Sequence, residues 1–149
     1  MRVTIADWLK RTPDLALCGQ ADNATKALKS IERLKPDIVV TEIFGETDCK
    51  FIQALHKQHP RLPILVFSYG NETSYAPRVL QAGADGYMLK GMSADGLVDG
   101  IRRTLEGRVV LSPDMRYQLL VKCVRQNRAP AVARKRPCQC LAKRKTSAR

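Results

Sequence analysis

The sequence predicts an α/β domain in which a parallel sheet is covered by helices on both faces. Short runs of Val, Ile and Leu alternate with segments whose apolar residues recur every three or four positions. The strand-like runs are continuously apolar, as expected for strands buried on both faces of a parallel sheet. With 149 residues, the chain is long enough for one ordinary domain with a sizeable core.

The chain begins with a predicted helix and a short predicted strand. The helix covers residues 2–11, because its apolar residues share one face and Pro13 disfavours helical backbone at the residue before it. The strand is the apolar run Leu15–Cys18.

A second helix and strand follow. Apolar residues at three- and four-residue spacing predict a helix over Ala24–Leu34, with Asn23 or Asp22 as its N-cap. Pro36 ends this helix, and Ile38–Glu42 form the next predicted strand.

The rest of the body repeats this alternation. The predicted elements are a helix ending near His59-Pro60, a strand at Ile64–Ser68, a helix ended by Gly83, a strand at Gly86–Lys90, a helix capped by Ser93 that ends at Gly107, a short apolar run at Val109–Leu111, and a helix from Pro113 to about Arg125.

Charge divides the chain near residue 121. Residues 122–149 contain ten Lys or Arg and no acid, so they carry +10 of the formal net charge of +12. Residues 1–121 contain 16 basic and 14 acidic residues and are nearly neutral. We therefore predict an α/β domain over 1–121 and a basic tail over 122–149, which is disordered because it lacks apolar periodicity beyond Asn127.

The basic tail suggests weak binding of polyanions. Its clusters can contact nucleic-acid phosphates without reading base sequence. No aromatic residue interleaves them to stack on bases. The candidate contacts are Arg134, Lys135, Arg136, Lys143, Arg144 and Lys145.

Several other classes of function are disfavoured. No apolar run is long enough to span a membrane and no secretory signal precedes the body, so we expect a cytoplasmic protein. The five cysteines show no disulfide framework and are expected to be reduced. Cys138 and Cys140 are separated by one residue, and His56 and His59 lie in a different region, so no metal site is expected. The side-chain pairs that catalysis requires are missing, so no catalytic residue and no enzymatic activity are predicted.

Three successive predicted strands end in residues that bear different polar groups. These are the acid Glu42, the hydroxyl of Ser68 and the ammonium of Lys90. Because the carboxyl ends of parallel strands share one edge of a sheet, we expect the three side chains to converge in one crevice. Such a trio suits an acidic group or phosphoryl oxygens, whereas the alternative is that all three are solvated strand ends.

The motifs around these residues resemble a known family. PDIVVTEI, LPILVFS and LQAGADGYMLK, followed by LEGRVVLSPDM, resemble the receiver domain of bacterial two-component response regulators, in the class that carries a C-terminal helix-turn-helix of the LuxR type. The resemblance spans roughly residues 3–120. It implies a flavodoxin-like, doubly wound sheet of five strands, in which a histidine kinase phosphorylates an Asp at the end of the third strand.

The resemblance also implies roles for four residues. The phospho-acceptor position falls on Glu42, the switch hydroxyl on Ser68, the switch aromatic on Tyr87, and the phosphate-binding lysine on Lys90. Ser68 and Lys90 would contact the phosphoryl oxygens, and Tyr87 would turn inward with them.

The sequence departs from the family pattern at four points. The acceptor Asp is replaced by Glu42, and the first strand with its acidic pair, which helps to hold Mg²⁺, is missing. Asp7 lies in a helix and is a poor substitute, so we expect the family's Mg²⁺ site to be lost and no cofactor to bind. The loop FGETDC is shorter than usual, and no helix-turn-helix follows Leu120.

These observations predict a degenerate receiver that needs no phosphorylation and works through protein contacts. The expected contact surface, for a protein partner or a second copy, is the face made by the family's fourth helix, fifth strand and fifth helix, around Tyr75, Tyr87 and Leu97. A histidine kinase partner is implied by the family alone, and DNA binding is weakly supported. The alternatives are nucleic-acid binding through the tail and a non-functional fragment of a DNA-binding response regulator.

The missing strand leaves a gap between two predicted neighbours. In the family's strand order, it lies between the strands that correspond to Leu15–Cys18 and Ile38–Glu42. Either these two strands pair directly, or a partner fills the space between them.

Overall fold

The computed structural model describes residues 2–43 and 45–127, where six helices surround a sheet of three strands. The helices are α1 (Arg2–Lys10), α2 (Ala24–Leu34), α3 (Glu46–Gln58), α4 (Glu72–Gln81), α5 (Ala94–Leu105) and α6 (Pro113–Asn127). The strands are β1 (Val39–Thr41), β2 (Ile64–Ser68) and β3 (Gly86–Leu89).

The sheet is parallel and its strands follow chain order, β1-β2-β3. Val39 lies opposite Ile64, and Leu65 lies opposite Gly86. Helices α3 and α4 make the two crossovers. The chain therefore has the α/β architecture that the alternation of apolar runs and helical patterns predicts.

Side chains of successive strand residues enter two different cores. Ile64 and Val66 pack with α3 and α4 on one face of the sheet, whereas Leu65 and Phe67 pack with α1 and α5 on the other. This division follows from the two-residue repeat of a strand. Trp8 packs against the core on the α1 and α5 side, and helices cover both faces of the sheet as predicted.

The predicted helix ends are formed by the expected residues. The side chain of Asn23 accepts a hydrogen bond of 2.9 Å from the Lys26 N–H at the start of α2, and Ser93 caps α5 in the same way. Gly83 follows α4 with φ of 108°, and a Cβ there would lie 2.4 Å from Cγ of His56. Both its backbone angle and its close packing require glycine.

The predicted strand at Leu15–Cys18 is not formed. This segment has no regular secondary structure and no ladder hydrogen bonds, and Leu17 is 42% exposed. A strand needs a neighbour to satisfy its backbone groups, and the described part of the chain places none beside it. A cavity of about 750 Å³ separates the segment from β1. Direct pairing of the two segments, one of the two predicted outcomes, is therefore wrong.

The region after α5 packs against the sheet edge at β3. Val110 forms a parallel bridge with Gly86, and Met115 of α6 is buried at 2% exposure beside α4. The carboxylate of Glu72 accepts a hydrogen bond of 2.9 Å from the Ser112 N–H. Helix α6 thus belongs to the folded body, and it continues through residue 121, where the charge of the chain changes.

Two of the three residues around which the contact surface is predicted are buried, and the surface itself stays a prediction. Tyr87 and Leu97 are each 1% exposed, so neither can contact a partner on this face. Tyr75 is half-buried against the core.

The basic clusters at 134–136 and 143–145 and the cysteines at 138 and 140 lie outside the described residues. Among the helices that are described, none has the length and apolar character needed to cross a bilayer.

Candidate functional site

The carboxyl ends of the three strands meet at one edge of the sheet. Ser68 is the last residue of β2, and Glu42 and Lys90 directly follow β1 and β3. Because the strands are parallel and adjacent, their final residues lie side by side. The three residues that the sequence singles out are therefore brought to one end of the sheet.

Glu42 and Lys90 form an enclosed ion pair. Nζ of Lys90 contacts Oε1 of Glu42. The side chain of Lys90 is 4% exposed and that of Glu42 is 17% exposed. Burial lowers the pKa of the Lys90 ammonium from its ordinary value, because desolvation disfavours the charged form. The carboxylate of Glu42 supplies the opposite charge that a buried ammonium needs.

Lys90 has two further contacts on the β2 side. Its Nζ lies 4.7 Å from the centroid of the Tyr69 ring, and its backbone N–H donates a hydrogen bond of 3.0 Å to the Ser68 carbonyl. The negative face of an aromatic ring attracts a cation at this distance. Tyr69 was not predicted from the sequence, although its position directly after Ser68 marks it as a strand-end residue.

The hydroxyl of Ser68 connects the ends of β1 and β2. It donates a hydrogen bond of 3.0 Å to the carbonyl of Ile43 and accepts one of 3.2 Å from the Gly70 N–H. The residue is 1% exposed. In this conformation the hydroxyl proton is directed to the backbone that follows Glu42, and the hydroxyl fixes the loop after β2.

Tyr87 points into the protein and holds the same loop. Its hydroxyl donates a hydrogen bond of 2.7 Å to the carbonyl of Gly70, and burial raises the pKa of its phenol above the ordinary value. A Cβ at Gly70 would lie 2.8 Å from Cδ2 of Tyr75, so only glycine permits the ring of Tyr75 to approach. The sequence analysis did not identify Gly70. Its carbonyl accepts a hydrogen bond from Tyr87 and its N–H donates one to Ser68, so it contacts two of the predicted site residues.

The carboxylates near the site do not fit a Mg²⁺ centre. A carboxylate oxygen of Glu42 contacts Lys90. Asp48 accepts a hydrogen bond of 3.2 Å from the Gly45 N–H, and Asp22 forms an ion pair with Lys26. Asp7 lies on α1 with an exposed side chain. Within residues 2–43 and 45–127, no cluster of His, Cys, Asp and Glu has the arrangement of a metal site.

Comparison with known families matches residues 1–102 to the response regulator receiver domain. Response regulator GacA of Pseudomonas viridiflava is 32% identical over 124 residues, which cover 82% of this chain and 58% of GacA. Response regulator protein VraR of Staphylococcus aureus is 28% identical over 118 residues, which cover 77% of this chain and 56% of VraR. The chain thus spans little more than half the length of these curated relatives.

Solved structures show the same fold. A two-component response regulator of the LuxR family from Aurantimonas sp. SI85-9A1 superposes with a TM-score of 0.73 at 26% identity, covering 83% of this chain and 89% of that one. The isolated receiver domain of RcsB from Salmonella enterica serovar Typhimurium, in its apo form, superposes with a TM-score of 0.71 at 17% identity, covering 78% and 88%.

Proposed function

This chain belongs to the response regulator receiver domain family, and we propose that it is a receiver whose site works without phosphorylation. The observation that carries the proposal is the ion pair between Glu42 and Lys90. In the family that the sequence resembles, the lysine binds the phosphoryl group of a phosphorylated Asp. Here the carboxylate of Glu42, one methylene longer than that of Asp, supplies the negative charge at the same lysine.

The surroundings of the pair support a permanently engaged site. The resemblance implies that the switch aromatic turns inward when the phosphoryl group is bound. Tyr87 is already buried and donates to Gly70, and the Ser68 hydroxyl already bridges the loops that follow β1 and β2. With the switch residues in these positions, phosphoryl transfer has no conformational change left to drive.

A receiver of this kind acts through a protein partner or a second copy of the chain. Tyr87 and Leu97 are buried and unavailable for such contacts, whereas the end of β3 and the turn after it carry exposed apolar residues. Leu89 and Met92, beside Lys90, are 41% and 48% exposed. Recognition by a histidine kinase is suggested by the family alone, and the proposed mechanism does not require it.

Nucleic-acid binding is the second candidate function. One observation favours it, since residues 122–149 concentrate ten positive charges without an acid. Contacts of this type neutralise phosphates and carry no sequence information.

The proposal predicts that acetyl phosphate leaves the protein unmodified. Full-length protein, incubated with acetyl phosphate and Mg²⁺, should retain its mass when measured intact and should show unchanged hydrogen exchange in residues 69–75. Glu42→Gln serves as the matched variant, because it removes the negative charge at nearly constant volume. It should increase exchange in residues 69–75, since Lys90 loses its partner. A phosphorylated peptide containing Glu42, or unchanged exchange in Glu42→Gln, would contradict the proposal.

A further inference from the structure

Helix α6 carries apolar side chains on two opposite sides. Met115 is buried in the core beside α4. Tyr117, Leu120 and Val124 are 69%, 63% and 45% exposed. Because successive helical residues are rotated by about 100°, these three positions form one stripe about 60° wide, on the side opposite Met115. The body covers one side of α6, and within the described part of the chain this outer stripe stays in contact with solvent.

Positive charge surrounds the outer stripe. Arg116 and Arg125 are exposed and lie on either side of it, roughly 80–100° from its centre. Asp114, in the first turn, is the one acid in the sequence of α6. Residues 113–149 contain eleven Lys or Arg and one acid, so they carry +10 of the formal net charge of +12. The exposed apolar side chains and most of the net charge therefore belong to the same region of the chain.

An anionic lipid surface fits both features. A helix with an apolar stripe and basic flanks lies in the plane of the membrane interface. Stable attachment needs two signals, and an apolar face together with a polybasic segment supplies them. The ring of Tyr117 suits the headgroup level, where its hydroxyl stays hydrated. Leu120 and Val124 have no polar group and suit the acyl-chain boundary.

Two other occupants fit one feature but not the other. Duplex DNA attracts the positive charge, but its phosphates offer no apolar surface to cover Leu120 and Val124. A second copy of the chain could cover these side chains, but it would bring eleven basic residues against the same eleven. The combination of charge and exposed apolar side chains therefore favours lipid.

We propose that α6 and the basic residues after it form a peripheral binding site for anionic phospholipid bilayers. The outer stripe lies at the acyl-chain boundary with α6 parallel to the membrane plane, and Lys and Arg side chains contact lipid phosphates. Met115 holds α6 against α4, so the body stays outside the bilayer. This surface does not include Glu42 or Lys90, and membrane binding does not depend on the function proposed above.

Vesicle co-sedimentation with the full-length chain tests the lipid preference. Vesicles of phosphatidylcholine and phosphatidylglycerol in equal amounts should bind the protein, with an affinity that decreases as salt rises. Vesicles of phosphatidylcholine alone should bind it weakly. Lipids brominated in the acyl chains should quench the added emission of a Leu120→Trp variant. They should leave the emission of Trp8 in the unsubstituted chain unchanged, because Trp8 packs against the core.

Two matched double variants separate the outer stripe from the charge. Leu120→Gln with Val124→Gln removes apolar surface from α6 and keeps every charge. Leu105→Gln with Val109→Gln makes the same substitutions near the end of α5, where the two residues are 40% and 56% exposed. The first variant should bind the mixed vesicles about tenfold more weakly or worse, because apolar side chains no longer enter lipid. The second should bind normally, and circular dichroism checks that both fold.

Duplex DNA is the comparison ligand, and both double variants should bind it as the unsubstituted chain does, since their charge is unchanged. The proposal is overturned if folded protein does not bind the mixed vesicles at low salt. It is also overturned if Leu120→Trp is not quenched, or if Leu120→Gln with Val124→Gln binds vesicles normally, because the basic residues alone would then adsorb to the surface. A dimer in analytical ultracentrifugation that the same double variant dissociates would assign the outer stripe to a second copy and would overturn it as well.

Discussion

Lys90 lies between a carboxylate and an aromatic ring, and the two contacts contribute differently to stability. The ring of Tyr69 is 79% exposed and adds a modest cation–π attraction. The enclosed carboxylate of Glu42 has the larger effect, because a buried ammonium without its counter-ion retains the full cost of desolvation.

This difference predicts the result of a double-mutant cycle. Glu42→Gln and Lys90→Met should each lower the free energy of unfolding by about 3 kcal/mol, since each leaves an unpaired group in an enclosed site. The double variant should lose clearly less than the sum, because no unpaired charge remains. Urea denaturation measures all four proteins. Additive losses would show that the two side chains do not interact.

The buried phenol of Tyr87 makes stability depend on pH in the alkaline range. Its pKa is raised from 10.0 by burial, so the native state keeps the phenol proton at a pH where the unfolded chain has lost it. The native state then binds more protons than the unfolded state, and this contribution to stability falls as pH rises through 10 and above. Nuclear magnetic resonance titration of the tyrosine rings should place Tyr87 above 10.

Tyr87→Phe tests the same residue at neutral pH. It should cost about 1–2 kcal/mol of unfolding free energy, because the Gly70 carbonyl loses its donor. Tyr117→Phe is the control, since Tyr117 is 69% exposed and should change stability little. Equal effects of the two substitutions would argue against a structural role for the Tyr87 hydroxyl.

The sequence predicts some of these residues and not others, for a physical reason. Glu42, Ser68 and Lys90 are found because strand ends follow from local apolar runs, and parallel order brings the ends together. Tyr69 and Gly70 were missed because their roles depend on contacts across the fold, with Lys90 and with the ring of Tyr75. No local pattern encodes such contacts.

Helix α6 has one deeply buried apolar residue, although its other large apolar side chains are mostly exposed. Met115 is 2% exposed in the core beside α4, whereas Tyr117, Leu120 and Val124 of the same helix are exposed. Leu111, Met115 and Leu119 recur every four residues, and this spacing is the sequence signal for the buried face.

We expect Met115→Ala to detach α6 from the body. The substitution should lower the free energy of unfolding by about 2–4 kcal/mol, because it opens a cavity in the core. It should also expose the helix to limited proteolysis. Leu120→Ala should change stability by less than about 0.5 kcal/mol. If Met115→Ala resembles Leu120→Ala in both assays, the packing of α6 contributes little.

The strands differ in how far local sequence determines them. Ile64–Ser68 and Gly86–Leu89 were predicted within one residue of their bounds, because each is a continuous apolar run with a strand beside it. Leu15–Cys18 has the same composition but no adjacent strand, and it remains unpaired. Composition shows that a segment can join a sheet, and only the rest of the fold provides the neighbour.

Charge is distributed unevenly along the chain. The near-neutral body makes the tail the only segment with a strong electrostatic attraction for polyanions. The distribution predicts weak binding to duplex DNA, with equal affinity for unrelated sequences and a steep decrease as salt rises.

Fluorescence anisotropy over a series of salt concentrations checks this prediction. Replacement of the six lysines and arginines at 134–136 and 143–145 by glutamine should reduce both the affinity and its slope against salt. Replacement of exposed body residues Lys10, Lys26 and Arg108 by glutamine is the control and should preserve both. A preference for one sequence, or binding that depends on the body, would contradict a purely electrostatic contact.

The two cores on opposite faces of the sheet contain different aromatic side chains, and these give each core its own spectroscopic signal. The chain has a single tryptophan, Trp8, which packs on the α1 and α5 side, whereas Tyr75 and Tyr87 pack on the opposite side. Indole emission and phenol absorbance therefore follow different layers during unfolding, without any added dye. Melting curves that coincide at the two wavelengths would mean that the layers separate from the sheet together, and curves that diverge would reveal which layer leaves first.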